Sequence, residues 1–135
     1  MTMTAYIIFN GQCEEALHFY AAALNGEIKS LMRYENSPAE AMAKDKQNVI
    51  HASFAAPGVI FMASDAGKGG PEASNSGMIH LSLNFNEVAD LEKTFGKLSD
   101  GARITMPPQE TFWGAKFGML QDKFGINWML NCERK

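Results

Sequence analysis

Two histidines and two serines are the residues of this chain best placed to do chemistry. In NVIHASFA, residues 48–55, His51 and Ser53 share one face of a period-two pattern, with Ile50, Ala52 and Phe54 on the other. In MIHLSLNF, residues 78–85, His80, Ser82 and Asn84 alternate in the same way with Ile79, Leu81 and Leu83. Imidazole titrates near neutral pH, so His51 and His80 are the candidate catalytic residues, each able to act as a general base on a proton within hydrogen-bond reach. The catalytic role stays open, because a lone histidine on a strand is more often a polar residue facing a cavity.

A second chemical signal is the aromatic stretch FWGAKFGMLQDKFGINWML, residues 112–130. Strand periodicity places Trp113, Ala115, Phe117 and Met119 on one face and Gly114, Lys116, Gly118 and Leu120 on the other. Glycine weakens a strand unless another group approaches closely or the strand must bend. Phe124 and Trp128 are read as core, and Gly125 as a hairpin residue able to adopt positive φ. Trp113 and Phe117 are read as the wall of an apolar cavity, with Met62, Met119 and Met129 as adaptable neighbours. The ligand-binding set expected from sequence is therefore His51, Ser53, His80, Ser82, Trp113 and Phe117.

The elements that must position these groups are written twice. Leu17, Ala21, Leu24 and Gly26 are answered by Leu91, Phe95, Leu98 and Gly101, an offset of 74 or 75 residues. In the first half AYIIF reads as a strand. The helix CEEALHFYAAAL follows, with Cys13, Leu17, Tyr20 and Leu24 at helical spacing, Glu14 and Glu15 in its first turn and Gly26 placed to end it. Strands EIKSLMRY, NVIHASFA and GVIFMAS come next. The second half repeats the grammar with MIHLSLNF, a helix from about Glu87 to Leu98 capped by Asn86, and strands near ARITM, FWGAKFGML and INWMLN.

The expected fold is α+β, two βαβββ modules forming curled mixed sheets around a shared cavity. Residues 1–65 are the first module, the Gly/Ser/Pro-rich residues 66–77 a linker, and 78–135 the second module of one integrated domain. The polar residues 35–48 are expected to form a long loop with a short helical piece.

Composition removes several classes of partner. The chain has 135 residues, 12 Lys and Arg against 15 Asp and Glu, and a formal net charge of −3, with no basic run to attract nucleic acid. Its apolar runs are too short to span a bilayer, and the start MTMTAYIIFN lacks the features of a signal peptide. A soluble, cytoplasmic protein is expected, without a membrane or nucleic-acid partner. Cys13 and Cys132 are the only cysteines and read as free structural thiols.

The strings FNGQCEEALHFY and MPPQETFWGAKFGMLQDKFGINWML, together with Asn131, resemble the PhnB-like branch of the vicinal oxygen chelate superfamily of glyoxalases, bleomycin-resistance proteins and dioxygenases. The resemblance covers essentially the whole chain. It implies half-barrel modules, homodimers and, in the superfamily's enzymes, a divalent metal held by one ligand from the first and last strand of each half. Of those four places only His80 offers a ligand. Ala5 stands at the first, residues 59–63 offer none at the second, and Asn127 is neutral and weak at the last. No metal ligands and no cofactor are therefore assigned. A methyltransferase label attached to this branch finds no support in these residues, which lack a glycine-rich strand-to-helix turn followed by an acidic residue.

The function expected is a PhnB-like, metal-free protein that binds a small hydrophobic or aromatic molecule and forms a homodimer. The alternative is an enzyme acting on a small oxygenated substrate through a rearranged divalent-metal or histidine-based site.

Overall fold

Alternation of Tyr6 and Ile8 with the buried Ile7 and Phe9 makes β1 (Tyr6–Phe9) a strand with one covered side. Residues 1–69 and 77–133 are described by the computed structural model, which divides into two compact units, Met1–Ala73 and Ser74–Lys135. After β1 the first unit continues with α1 (Cys13–Leu24), β2 (Glu27–Arg33), a single 3-10 turn (Glu40–Met42), β3 (Val49–Ala56) and β4 (Val59–Asp65).

Helix α1 buries Cys13, Ala16, Leu17, Tyr20 and Ala23, a stripe at three- and four-residue spacing that lies against β2, β3 and β4. Its end differs from expectation. Asn25, not Gly26, takes the left-handed conformation (φ 55°, ψ 46°), and the Gly26 N–H closes the turn on the Ala21 carbonyl at 3.0 Å. Glycine is required at 26 for packing instead, since a Cβ there would meet Phe54 Cζ at 2.6 Å and the Ala55 carbonyl oxygen at 2.8 Å.

The strands of the first unit pair in the order β1-β4-β3-β2, with β1 parallel to β4 and the other pairs antiparallel. Parallel pairing of β1 with β4 needs a long crossover, which the α1–β2–β3 segment supplies. Pro57 and Gly58 join β3 to β4. A proline followed by a glycine at φ 75° is the signature of a type II turn. Beyond β4 the chain is tied back at first, with Ala66 N–H bonded to the Phe9 carbonyl at 2.8 Å and Lys68 N–H to the Met42 carbonyl at 2.7 Å.

The second unit has β5 (Leu81–Asn84), α2 (Val88–Leu98), β6 (Arg103–Glu110), β7 (Ala115–Gln121) and β8 (Asn127–Glu133). Its order β5-β8-β7-β6, parallel at β5/β8 and antiparallel elsewhere, repeats that of the first. Among the described residues two helices and eight strands, in two open, four-stranded mixed sheets, make the fold α+β.

Helix α2 buries Leu91, Phe95 and Leu98. Its N-cap position is Glu87 without a side-chain bond, so Asn86 does not cap it as expected. Strand β6 runs through Pro107 and Pro108, four residues past the point where sequence periodicity stops. Edge position and register shifts on both sides of Met106 make this tolerable, because an edge strand need not donate every N–H.

Candidate functional site

One face of the first sheet belongs to α1. Phe61 meets Tyr20 of that helix edge-on at 6.1 Å between centroids and stacks on Phe54 at 4.8 Å. His51, Ser53 and Met62 alternate with these side chains and so occupy the helix-free face. Register adds Tyr6 opposite Met62, Ser30 opposite Ser53 and Met32 opposite His51. On that face Tyr6 Oη lies 3.2 Å from His51 Nδ1, with the rings 5.8 Å apart, and Ser30 Oγ lies 2.8 Å from Ser53 Oγ. Large apolar groups surround them, with Ile8 38%, Met32 57% and Ile60 71% exposed.

A tyrosine hydroxyl both donates and accepts, and neutral imidazole has one nitrogen of each kind. If Tyr6 donates to Nδ1, Nε2 carries a hydrogen and donates outward. With the hydrogen on Nδ1 instead, Nε2 accepts. In either tautomer the pair can meet one hydroxyl or carbonyl group of a small molecule.

In the second unit α2 likewise covers one face. A Cβ on Gly118 would meet Phe95 Cε2 at 2.9 Å, so this strand glycine answers to close helix approach, and Lys116 reaches Glu92 of α2 at 3.8 Å. Phe117 and Met119 of β7 lie on the opposite, helix-free face. Register adds Asn131 opposite Phe117, Met129 opposite Met119, and Ser82 and Asn84 opposite Met129 and Asn131.

Trp113 is not on the strand as periodicity suggested. Phe112, Trp113 and Gly114 form a turn, Gly114 at φ 82°, closed by the Thr111 N–H to the Ala115 carbonyl at 2.9 Å. The turn sets Trp113 edge-on to Phe117 at 5.8 Å and to Phe112 at 4.9 Å, leaving Phe112 98% and Trp113 55% exposed.

His80 precedes β5 rather than belonging to it. Its Nε2 is 3.1 Å from the Gly77 carbonyl, which can only accept, so in the neutral ring Nε2 carries the hydrogen. Nδ1 is then an acceptor, shielded from solvent and unpartnered among the described residues.

The buried carboxylates are committed elsewhere. Asp65 Oδ1 accepts the N–H groups of Gly11 and Cys13, each at 2.9 Å, and Oδ2 that of Val49 at 2.9 Å. Asp122 Oδ1 accepts from the Phe124 and Ile126 N–H groups, and Oδ2 from the Trp128 indole N–H at 2.8 Å. Burial, then the Asp65 and Glu14 carboxylates, push the Cys13 thiol from 9.0 up to about 12, so it is no nucleophile at neutral pH. Burial also raises the Tyr34 phenol, whose hydroxyl donates to the Asp65 carbonyl at 3.0 Å.

Several groups that could ligate a divalent metal are already engaged. Asp65 and Asp122 are saturated by N–H groups, His51 is paired through Nδ1, and Asn127 donates to the Ile79 carbonyl. Among the described residues no group of three or more His, Cys, Asp and Glu is placed to hold an ion.

Of the residues expected from sequence, the first unit brings together His51 and Ser53. The second sets Ser82 and Phe117 on one face, with Trp113 against Phe117 and His80 just off the strand. Sequence reasoning missed Tyr6. Alternation in AYIIF puts it with Ile8 on the side of β1 away from Ile7 and Phe9, but only the β1/β4 register carries it to His51.

Two βαβββ units of this kind are the mark of the glyoxalase-like fold. The glyoxalase/bleomycin resistance protein/dioxygenase domain from Frankia sp. EAN1pec aligns with a TM-score of 0.65 at 17% identity, over 99% of this chain and 98% of its own, a likeness of fold. Closer are protein PA1353 from Pseudomonas aeruginosa (TM-score 0.88, 35% identity, 100% and 99% covered) and a Bacillus cereus PhnB protein described as a putative 3-demethylubiquinone-9 3-methyltransferase (0.82, 30%, 98% and 99%). Residues 1–131 match the family model described as 3-demethylubiquinone-9 3-methyltransferase, and the chain belongs to that PhnB-like family. Among the described residues no helix is long and apolar enough to cross a membrane.

Proposed function

We propose that this protein binds a small aromatic or hydrophobic molecule carrying a hydroxyl or carbonyl group, without a metal. The observation that carries this is the Tyr6–His51 pair, one hydrogen-bonding unit set among exposed Ile8, Met32 and Ile60 on a helix-free sheet face. Apolar surface with a few placed polar groups is the usual composition of a small-molecule site. The exposed Trp113, edge-on to Phe117, gives the second unit a ring surface of its own. Methyl transfer, the activity in the family's description, gains no support from the β1–α1 turn, where Asp65 already fills the amides of Gly11 and Cys13.

Calorimetric titration with 2-naphthol and naphthalene tests this. Wild type should prefer 2-naphthol by about tenfold, the worth of one net hydrogen bond. His51→Ala should lose that preference while keeping its affinity for naphthalene. Absence of binding, or a preference that survives in His51→Ala, refutes the proposal.

The Tyr6–His51 bond also favours a second function, an enzyme in which His51 moves a substrate proton. Turnover of hydroxylated substrates that vanishes in His51→Ala and persists with chelator would establish it. We further propose a cytoplasmic homodimer, checked by sedimentation equilibrium and cell fractionation.

A further inference from the structure

The helix-free face of the first sheet carries a second hydrogen-bonding unit beside Tyr6–His51. Ser30 of β2 and Ser53 of β3 are cross-strand partners whose hydroxyl oxygens lie 2.8 Å apart, Ser30 exposed and Ser53 half-buried. Their mutual bond uses one hydroxyl hydrogen, so the pair keeps one hydrogen to donate and lone pairs on both oxygens to accept with. A bulge creates this pairing. Ile28 is opposite Phe54, and an unbroken ladder would set Lys29 opposite Ser53; the register shift leaves Lys29 as the extra residue and brings Ser30 there instead. The cations of β2 are both paired, Lys29 Nζ with Glu27 Oε1 at 2.8 Å and Arg33 with Glu14 Oε1 at 2.9 Å. His51 and Ser53 are two residues apart on β3, which separates the two polar units by about 7 Å. Met62 of β4, the cross-strand partner of Ser53 on one side and of Tyr6 on the other, adds apolar surface beside them.

We infer that the ligand is a neutral, flat aromatic molecule with oxygen groups at opposite ends, one held by Tyr6–His51 and the other by Ser30–Ser53. This rests on the ligand-binding function proposed above and specifies the class of molecule it takes. Two fused six-membered rings span the gap that the strand sets. A molecule with a single oxygen satisfies one unit and leaves the other to water. A carboxylate at the serine end would find no unpaired cation of β2 to offset its lost hydration, so an uncharged hydroxyl or carbonyl is the better match there.

The test is calorimetric titration of the full chain with 2-naphthol, with 2,6-naphthalenediol, whose hydroxyls stand at opposite ends, and with 2,3-naphthalenediol, whose hydroxyls share one end. Wild type should bind the 2,6-diol about tenfold tighter than 2-naphthol, the worth of one more net hydrogen bond, and tighter than the 2,3 isomer by a similar factor. The charged 6-hydroxy-2-naphthoate should bind more weakly than the 2,6-diol. In S30A/S53A the 2,6-diol should lose its advantage while 2-naphthol keeps its affinity and its preference over naphthalene, which also shows that the variant is folded. A 2,6-diol no tighter than 2-naphthol or the 2,3 isomer, an advantage that survives in S30A/S53A, or a naphthoate that binds tighter than the diol overturns the inference. The binding function still stands in each of those cases if wild type prefers 2-naphthol to naphthalene through His51. If wild type binds none of these compounds, both fall together.

Discussion

The Asp65 carboxylate, at the last residue of β4, accepts the backbone N–H of Cys13, the first residue of α1, at 2.9 Å. A residue 52 positions away in sequence thus does the work of an N-cap, while the local N-cap residue Gln12 makes no side-chain bond. The same carboxylate holds Gly11 and Val49, so one buried side chain fastens the β1–α1 turn and the start of β3 to the end of β4.

Asp65→Ala should destabilise the protein by about 3–5 kcal/mol, because it strands three amides that otherwise need partners. Asp65→Asn should cost less than Asp65→Ala, keeping one accepting oxygen but turning an NH2 toward a backbone donor. Urea denaturation followed by circular dichroism measures both. A loss below about 1 kcal/mol for Asp65→Ala would show that the amides find water instead.

Cys13 should resist alkylation. With its thiol pushed up to about 12, the thiolate is scarce at pH 8, and iodoacetamide should label Cys13 only as fast as the protein opens. Its proton is held more tightly in the folded state, so this contribution to stability is intact below pH 9.0 and is lost as pH rises from there toward about 12. The slope is about 1.4 kcal/mol per pH unit inside that window. Cys13→Ala should flatten the alkaline limb of the stability profile, and an unchanged limb would assign it to other groups.

Two glycine substitutions should have opposite signs. Gly96, inside α2, has open space where a Cβ would stand, so Gly96→Ala should stabilise by about 0.5–1 kcal/mol. Gly26→Ala drives a methyl into the Phe54 ring and the Ala55 carbonyl and should destabilise by about 1–3 kcal/mol. Thermal melts of the pair decide it, and melting points shifted in the same direction would contradict the packing described.

Trp128→Phe should cost about 2–3 kcal/mol. It keeps most of the buried ring but removes the indole N–H from Asp122 Oδ2, leaving a buried carboxylate oxygen short of a donor. In the double variant Asp122→Ala/Trp128→Phe the losses should fall short of additive, which a double-mutant cycle reads directly.

Local periodicity carried much of this protein by itself. The spacing of Cys13, Leu17 and Tyr20 marked the buried stripe of α1, and alternation in LSLN put Ser82 and Asn84 on the more exposed side of β5. The duplicated grammar and closing aromatic motif were enough for the two-module α+β fold. Periodicity is local, set by 3.6 residues per turn or two per pleat, so it needs no knowledge of distant partners.

Pairing is what periodicity leaves undetermined. That Tyr6 reaches His51 and that Asp65 caps a helix 52 residues away both depend on register between strands distant in sequence. The turn at Trp113 shows the same limit, because Gly114 at positive φ broke a strand that alternation alone would have continued. Register is chosen by the packing of whole sheets against their helices, where one residue of slip would move every side chain to the other face, and only the tertiary structure makes that choice.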